Sequence, residues 1–290
     1  MKLDLLKFLK ENPYFIVVMG LCLVVALLNY DFLSQLKQLP SPIFGGDYYN
    51  HLGYLYHLQY GGSLLDNGQM NGEIPWVPWL YHAYVFIFSK IAGLDVMYGN
   101  IFSSIPLIFL TGIIMYFTMK RVTANPILII TGALLTLKFY PVYKYTDFTY
   151  AIMGPLILLA WLFYLEHQNL KRLLLLGAVL ALANLTNTQL VFSSMILLGV
   201  VALDRLYSAY LKNKEVFERK KEPLLSQKED LREKKGIKAK IDEIWNLAFP
   251  VAKPFIAIFL VTWLLSMAYW HGPFFVERLK MPNDLQIYGW

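Results

Sequence analysis

Residues 14–30, YFIVVMGLCLVVALLNY, form a run of seventeen residues without a charged side chain. An apolar run of this length crosses the roughly 30 Å hydrocarbon core of a bilayer as an α-helix. Six further apolar runs follow along the chain. The seven runs are 14–30, 99–119, 125–141, 148–165, 171–186, 189–206 and 248–270. The sequence therefore predicts an all-α integral membrane protein with about seven transmembrane helices.

Composition supports this class. Of 290 residues, 57% are hydrophobic and only 16% are charged, whereas soluble domains carry about 25% charged residues. The net charge of +6 does not indicate a nucleic-acid partner, because twelve of the 26 Lys and Arg residues lie within 205–240, interleaved with acids. That pattern is typical of a solvated loop that contacts membrane lipids. The single cysteine, Cys22, excludes an intrachain disulfide.

The distribution of basic residues predicts the topology. With seven spans and a cytoplasmic N-terminus, 20 of the 26 Lys and Arg residues fall on the cytoplasmic side, as the positive-inside rule requires. A weaker apolar run, 77–93, would place the basic loop outside if it were an eighth span, so we interpret it as an aromatic-rich interfacial helix.

Five segments result from this topology, and the charged loop and lack of disulfides lead us to favour the plasma membrane of a prokaryote. The segments are 1–30, the cytoplasmic N-terminus and first transmembrane helix, which we interpret as a signal anchor; 31–98, an outer loop with interfacial helices; 99–206, five transmembrane helices; 207–246, a charged cytoplasmic loop; and 247–290, the last helix and an outer tail.

The first outer loop contains the most informative motif, Gly45-Gly46-Asp47-Tyr48-Tyr49-Asn50-His51. Asp47 opens a helical pattern that places His51 at i+4 on the same face. A carboxylate and an imidazole in this arrangement suit a divalent metal, or a general base with an orienting partner. The alternative is that Asp47 only caps the helix, a position that Asp favours.

Candidate residues also occur in the other outer loops. Lys144 and Asp147 lie in the second loop, where a lysine could hold a phosphate and an aspartate could complete a metal or acid–base site; the alternatives are a snorkelling lysine and a surface cap. Polar residues at 184–189 could line an outward-facing cavity. His57 and His82 are interpreted as structural or interfacial, with substrate contact as the alternative. The predicted substrate-cavity residues are Tyr48, His57, Tyr145, Asn187 and Gln189.

This layout resembles the GT-C superfamily of membrane glycosyltransferases, which includes the oligosaccharyltransferase catalytic subunit and the protein O-mannosyltransferases. The resemblance covers most of residues 10–275. It lies in the first span, the long outer loop opening at Gly46-Asp47-Tyr48, the amphipathic run 77–93, the basic turn Lys120-Arg121 and the acid Asp147 in the next outer loop.

The resemblance implies a sugar donor on a polyprenyl phosphate or pyrophosphate and a reaction at the outer face. It assigns Asp47 as the leading catalytic residue, Asp147 as the second, and Lys144 as a contact of the donor phosphate. His51, at i+4 from Asp47, is the predicted orienting partner. Mg²⁺ or Mn²⁺ would be held by Asp47 and Asp147. The second loop has one acid where the oligosaccharyltransferase has a pair.

The sequence also lacks a Trp-Trp-Asp acceptor motif and ends at Trp290. We therefore expect a partner subunit to supply a C-terminal acceptor-binding region, unless the chain is a fragment or a short member of the family. The main hypothesis is an inverting glycosyl transfer from a lipid-linked sugar. The alternative is a non-catalytic scaffold or partner subunit that uses 207–246 to bind another protein. A transporter is disfavoured by the absence of inverted repeats.

Overall fold

The computed structural model describes residues 5–37, 46–66, 78–137, 148–221 and 237–271. All regular structure in these ranges is helical. The helices are α1 (Leu5–Glu11), α2 (Pro13–Ser34), α3 (Gly46–Gln59), α4 (Leu80–Ala92), α5 (Val96–Phe102), α6 (Ser104–Val122), α7 (Pro126–Thr136), a π-helical turn (Phe148–Met153) that leads into α8 (Gly154–Glu166), α9 (Leu170–Asn184), α10 (Thr188–Lys221) and α11 (Ile237–His271).

Three helical segments of the described chain are long and apolar enough to cross a membrane. They are Pro13–Ser34, Val96–Val122 and Phe148–Glu166, with mean hydropathies of 2.3, 1.9 and 1.8. Large apolar side chains such as Leu27, Phe192 and Phe259 are more than half exposed, as expected of surfaces that face lipid rather than water. The described chain therefore has the character of a helical membrane protein. Helices lie in all seven predicted runs.

Helix boundaries follow local sequence signals. Asn125 and Asn169 are the N-caps of α7 and α9, and their side-chain oxygens accept hydrogen bonds from the Ile127 and Arg172 N–H groups at 2.9 and 3.0 Å. Side-chain acceptors at this position satisfy N–H groups that have no partner within the helix. The described parts of 207–246 are also helical, since α10 continues to Lys221 and α11 begins at Ile237.

The segment Val96–Val122, which contains α6, lies at the centre of the bundle. In its most apolar 18-residue stretch, 61% is buried, whereas 28% is buried in the corresponding stretch of α2. Helices approach closely at glycines. A Cβ at Gly112 on α6 would lie 2.3 Å from the Cys22 Sγ on α2, and one at Gly177 on α9 would lie 2.7 Å from Val261 Cγ1 on α11. Small residues allow such approaches in membrane helix pairs.

Two separate groups of contacts mark opposite ends of the central helices. At the C-terminal end of α6, Arg121 Nε lies 3.0 Å from Glu166 of α8, and Arg172 at the start of α9 donates to the same carboxylate at 3.1 Å. Lys120 also donates to Asn12, which precedes α2. The helices α3 to α5 precede the N-terminal end of α6, at the opposite end, and carry the candidate functional site.

Candidate functional site

The candidate site is built on α3 and α4, which pack against each other within the predicted first outer loop. Their contact is a pair of imidazoles: His51 Nδ1 lies 2.9 Å from His82 Nε2. The two rings are tilted by 34° with centroids 5.1 Å apart. Because a neutral imidazole has one N–H and one bare nitrogen, this contact requires one of the two atoms to carry the proton and the other to accept it.

His82 lies in an apolar and aromatic environment. Its side chain is 2% exposed, and the rings of Tyr54 and Tyr81 lie 5.1 and 5.7 Å away between centroids. Burial, and secondarily the neighbouring His51, lower the pKa of His82 well below 6.5. The imidazole is therefore neutral at physiological pH and interacts with His51 as a hydrogen-bonding group rather than as a cation.

The motif that begins at Asp47 forms a continuous helix with His51. Since α3 begins at Gly46, Asp47 lies in the first turn instead of at the N-cap position, and the predicted i, i+4 spacing is confirmed for the backbone. The side chain of Asp47 lies outside the described structure. Tyr48, a predicted cavity residue, is instead 3% exposed and donates a hydrogen bond to the Met97 carbonyl at 3.3 Å.

A polar network fixes the far end of α3 to α5. Asp95, the N-cap of α5, accepts hydrogen bonds from the Met97 N–H, the Tyr56 hydroxyl and the Gln59 amide at 2.9, 3.1 and 3.0 Å. Partial burial would raise the pKa of Asp95, but these three donors outweigh burial and leave the pKa below its ordinary value. The network orients α3 relative to α5, and thereby fixes the position of His51.

His57 lies two turns along α3 from the His51 position. It is half-buried, and its Nε2 is 3.7 Å from Asp66 Oδ2. The chain reverses here through Gly61, at φ +93°, with Gly62 N–H donating to the His57 carbonyl at 2.8 Å and Gly61 N–H to the Leu58 carbonyl. This Schellman motif needs glycine at the left-handed position.

Residues adjoining the second and third predicted outer loops contact α4. Phe148, the residue after Asp147, packs against Tyr81 and Tyr84 with ring centroids 5.7 and 5.4 Å away. The Leu80 N–H donates to the Leu185 carbonyl at 3.0 Å. The structure therefore brings the described ends of all three loops together around α4.

Other predicted residues lie at the edges of this region or beyond it. Asn187 is half-buried, and its N–H donates to the Ala183 carbonyl at 2.7 Å. Gln189 lies in the first turn of α10, and its side chain is not described. Lys144, Tyr145 and Asp147 lie outside the described residues. The proposed roles of all these residues stay predictions.

The metal prediction rests on the same undescribed side chains. Both proposed ligands, Asp47 and Asp147, lie outside the described side chains, so their fit to Mg²⁺ or Mn²⁺ is not tested. Within the side chains that are described, no group of three or more His, Cys, Asp or Glu residues is arranged to hold a metal ion.

Comparison with known proteins identifies a relative in an archaeon. The uncharacterized protein MJ1080 of Methanocaldococcus jannaschii is 33% identical to this chain over 108 residues, which cover 37% of the chain and 79% of the relative. The chain belongs to the family of that protein. No protein-family model and no solved structure matches the sequence. Because the relative is uncharacterized, membership of its family assigns no activity to this chain.

His82 was interpreted from the sequence as structural or interfacial, with substrate contact as the alternative, and its contact with His51 was not predicted. It lies 31 positions after His51 and on a different helix, so no local spacing links the two. An aromatic run containing one histidine, at 77–93, is equally typical of an interfacial helix. Asp95 was also missed, although an aspartate directly before an apolar run is a recognised N-cap signal.

Proposed function

We propose that this chain is a GT-C-type membrane glycosyltransferase that moves a sugar from a polyprenyl-phosphate-type lipid donor to an acceptor at the outer membrane face. The proposal includes seven spans, a cytoplasmic N-terminus, an outer loop at 31–98 with interfacial helices, and an outer C-terminal tail. The clustering of Arg121, Glu166 and Arg172 at one end of the bundle supports this layout, because the positive-inside rule assigns both arginines to the cytoplasmic side.

One observation carries the proposal. The helix that contains Asp47 and His51 packs through His51 on a fully buried, neutral histidine, at the place where the described ends of the three predicted outer loops meet. A group that acts in catalysis must be held in a fixed geometry. The imidazole contact and the Asp95 network supply that rigidity.

In the proposed reaction, the acceptor hydroxyl attacks the anomeric carbon from the face opposite the lipid phosphate. The new C–O bond forms as the bond to the phosphate oxygen breaks, so the configuration inverts and the lipid phosphate leaves with the electron pair. Asp47 accepts the acceptor proton, and His51 holds Asp47 in position through the turn of helix that they share.

The departing phosphate requires positive charge near it. Lys144 would supply one such charge at the predicted second loop, with Asp147 as a second acid in the same loop. A bound Mg²⁺ or Mn²⁺ would add electrostatic stabilisation of the phosphate oxygens. Exposed apolar residues on α4, such as Ile87 and Ile91, would guide the lipid chain from the bilayer.

The test is turnover by the purified chain in lipid nanodiscs with a panel of radiolabelled polyprenyl-phosphate sugars, with and without Mg²⁺ or Mn²⁺. We expect transfer or donor hydrolysis with at least one donor, and a loss of about 10²-fold or more in Asp47→Asn, with unchanged thermal stability. The matched control is Asp31→Asn, which changes an exposed acid at the end of α2.

Equal turnover in Asp47→Asn would contradict the role of Asp47. A folded protein with no turnover on any donor would favour the alternative of a non-catalytic scaffold or partner subunit. The continuation of α10 to Lys221 and the start of α11 at Ile237 would then provide helical arms for a partner protein on the other side of the membrane.

A further inference from the structure

A pair of arginines is fixed at the end of the bundle opposite the histidine pair. Arg121, in the last turn of α6, and Arg172, in the first turn of α9, contact the two oxygens of the Glu166 carboxylate at 3.0 and 3.1 Å. Both guanidinium groups also lie over the Phe163 ring, 3.6 and 5.4 Å from its centroid. One carboxylate and one aromatic face therefore hold the two guanidinium groups beside each other.

The two guanidinium groups keep donors that the described chain does not use. Arg121 Nη1 donates to the Phe117 carbonyl at 3.3 Å, and Arg172 Nη1 donates to the Phe163 carbonyl at 2.6 Å as well as to Glu166. The buried Nε of Arg121 faces Glu166. Within the described residues, Arg121 Nη2 and the Nε and Nη2 of Arg172 make no hydrogen bond, and none of these three atoms is buried. They are therefore accessible to the oxygens of a ligand.

Positive charge exceeds negative charge around these donors. Residues 117–125 and 163–172 contain four basic residues and one acid, Glu166. The other two basic residues are Lys120 and Lys171, and both are exposed. The Glu166 carboxylate repels an anion, but the basic residues outnumber it. The surplus of charge and the unused guanidinium donors both favour an anionic ligand with paired oxygens, such as a phosphate group.

The arginine pair lies where the candidate membrane spans end. The segments Val96–Val122 and Phe148–Glu166 finish at this place, directly after Arg121 and at Glu166 itself. The third segment, Pro13–Ser34, begins directly after Asn12, to which Lys120 donates. The ends of three spans mark the level at which hydrocarbon gives way to lipid head groups. The phosphate that is most abundant at this level belongs to the lipids of the bilayer.

Apolar side chains beside the arginine pair favour a lipid over a free phosphate. Val122, Ile127 and Leu170 lie close to the two arginines in the chain, and each is more than half exposed. An inorganic phosphate would leave these side chains uncovered, whereas the acyl chains of a lipid would pack against them. Charged donors beside exposed apolar surface match a molecule with an anionic head and an apolar tail.

We propose that Arg121 and Arg172 bind the phosphodiester head group of an anionic membrane lipid, whose acyl chains lie against Val122, Ile127 and Leu170. The bound lipid joins the ends of α6, α8 and α9. This role goes beyond glycosyl transfer and does not depend on it, because it uses residues at the other end of the bundle from Asp47 and His51.

The experiment measures lipid binding to the purified full chain in a neutral detergent by native mass spectrometry. The probe is dioctanoyl phosphatidylglycerol. Dioctanoyl phosphatidylcholine has the same acyl chains and phosphodiester without a net charge, and inorganic phosphate has the charge without the chains. The variants are Arg121→Gln and Arg172→Gln. The matched control is Lys90→Gln, which removes one positive charge from an exposed position of α4.

We expect phosphatidylglycerol to bind saturably and more tightly than phosphatidylcholine, and inorganic phosphate not to bind. Each arginine variant should weaken binding of phosphatidylglycerol about five- to tenfold, whereas Lys90→Gln should leave it unchanged. Equal binding of the two lipids, unchanged binding in both arginine variants, or an equal loss in Lys90→Gln would overturn the proposal. Inorganic phosphate that binds as tightly as phosphatidylglycerol would also overturn it, since the ligand would then be a free phosphate.

A further variant keeps the test valid if the glutamine variants do not fold. Arg172 also donates to the Phe163 carbonyl, so the midpoint of thermal unfolding without lipid is measured for each variant. Arg172→Lys retains the positive charge but replaces the planar fork of donors by one ammonium group. We expect it to fold and to bind phosphatidylglycerol about threefold more weakly. Unchanged binding in Arg172→Lys would show that the guanidinium donors do not hold the head group.

Discussion

At the scale of single residues, the neutral state of His82 has a consequence for stability against pH. Its pKa is lower in the folded chain than in the unfolded chain because of burial and the nearby His51. The unfolded state therefore binds a proton that the folded state does not. Stability is fully present above about pH 6.5 and is lost as the pH falls from there toward the folded-state pKa, by at most about 1.4 kcal/mol per pH unit.

We expect His82→Gln, which retains a hydrogen-bonding side chain without a titrating group, to flatten this dependence. The measurement is the midpoint of thermal unfolding between pH 7.5 and 5 for both proteins. His167→Gln is the control, because His167 is exposed between α8 and α9. A slope that is equally steep in His82→Gln would show that another group causes the acid sensitivity.

The same residues show what sequence alone reveals about a site. The relation between Asp47 and His51 is local, so helical periodicity predicts it and the continuous α3 confirms the register. The contact between His51 and His82 depends on how α3 and α4 pack, and pairing between helices leaves no fixed spacing in one sequence.

At the scale of helices, the close approach of α2 and α6 predicts a steric effect at Gly112. An alanine methyl group would lie 2.3 Å from Cys22 Sγ, which forces the Cys22 side chain or one of the two helices to shift. We expect Gly112→Ala to destabilise the solubilised protein by about 1–3 kcal/mol, the usual cost of overpacking. The measurement is the midpoint of thermal unfolding in detergent.

Gly20 provides the matched control on α2. Nothing lies within 4 Å of a Cβ at this position, so Gly20→Ala adds the same methyl group without a clash and gains helix propensity. Adding Cys22→Ala to Gly112→Ala removes the clashing sulfur and should restore part of the lost stability. If Gly20→Ala and Gly112→Ala have the same midpoint, the α2–α6 interface is looser than described.

Hydrophobic runs predicted the helices well because burial in lipid requires long apolar segments with internally satisfied backbones. The boundaries were less accurate where polar sequence continues a helix. Residues 207–221 and 237–246 were assigned to a charged cytoplasmic loop that could include helical turns, and α10 and α11 extend through them. Charged residues with good helix propensity can continue a helix into water, and the apolar run alone does not indicate where it ends.

At the scale of the whole molecule, two sets of contacts define opposite ends of the bundle. One set joins Arg121, Glu166 and Arg172 beside the end of α6. The other joins α4 to Phe148 and Leu185. The turns that contribute to each set alternate along the chain, as they must in a bundle whose helices run up and down. The alternation is seen in contacts between side chains and backbone groups, whereas the topology was predicted from the number of Lys and Arg residues on each side of the membrane.

Which end faces outward decides whether the proposed reaction has access to its substrates, and cysteine accessibility measures it directly. In a Cys22→Ala background, Tyr60→Cys introduces a thiol at a position 81% exposed after α3, and His167→Cys introduces one beside Glu166. We expect a membrane-impermeant maleimide added to sealed cells to label Tyr60→Cys, and to label His167→Cys only after permeabilisation, since charged reagents do not cross the hydrocarbon core. The reverse pattern would place the histidine pair in the cytoplasm and contradict transfer at the outer face. Labelling of both positions in sealed cells would contradict the two-ended bundle itself.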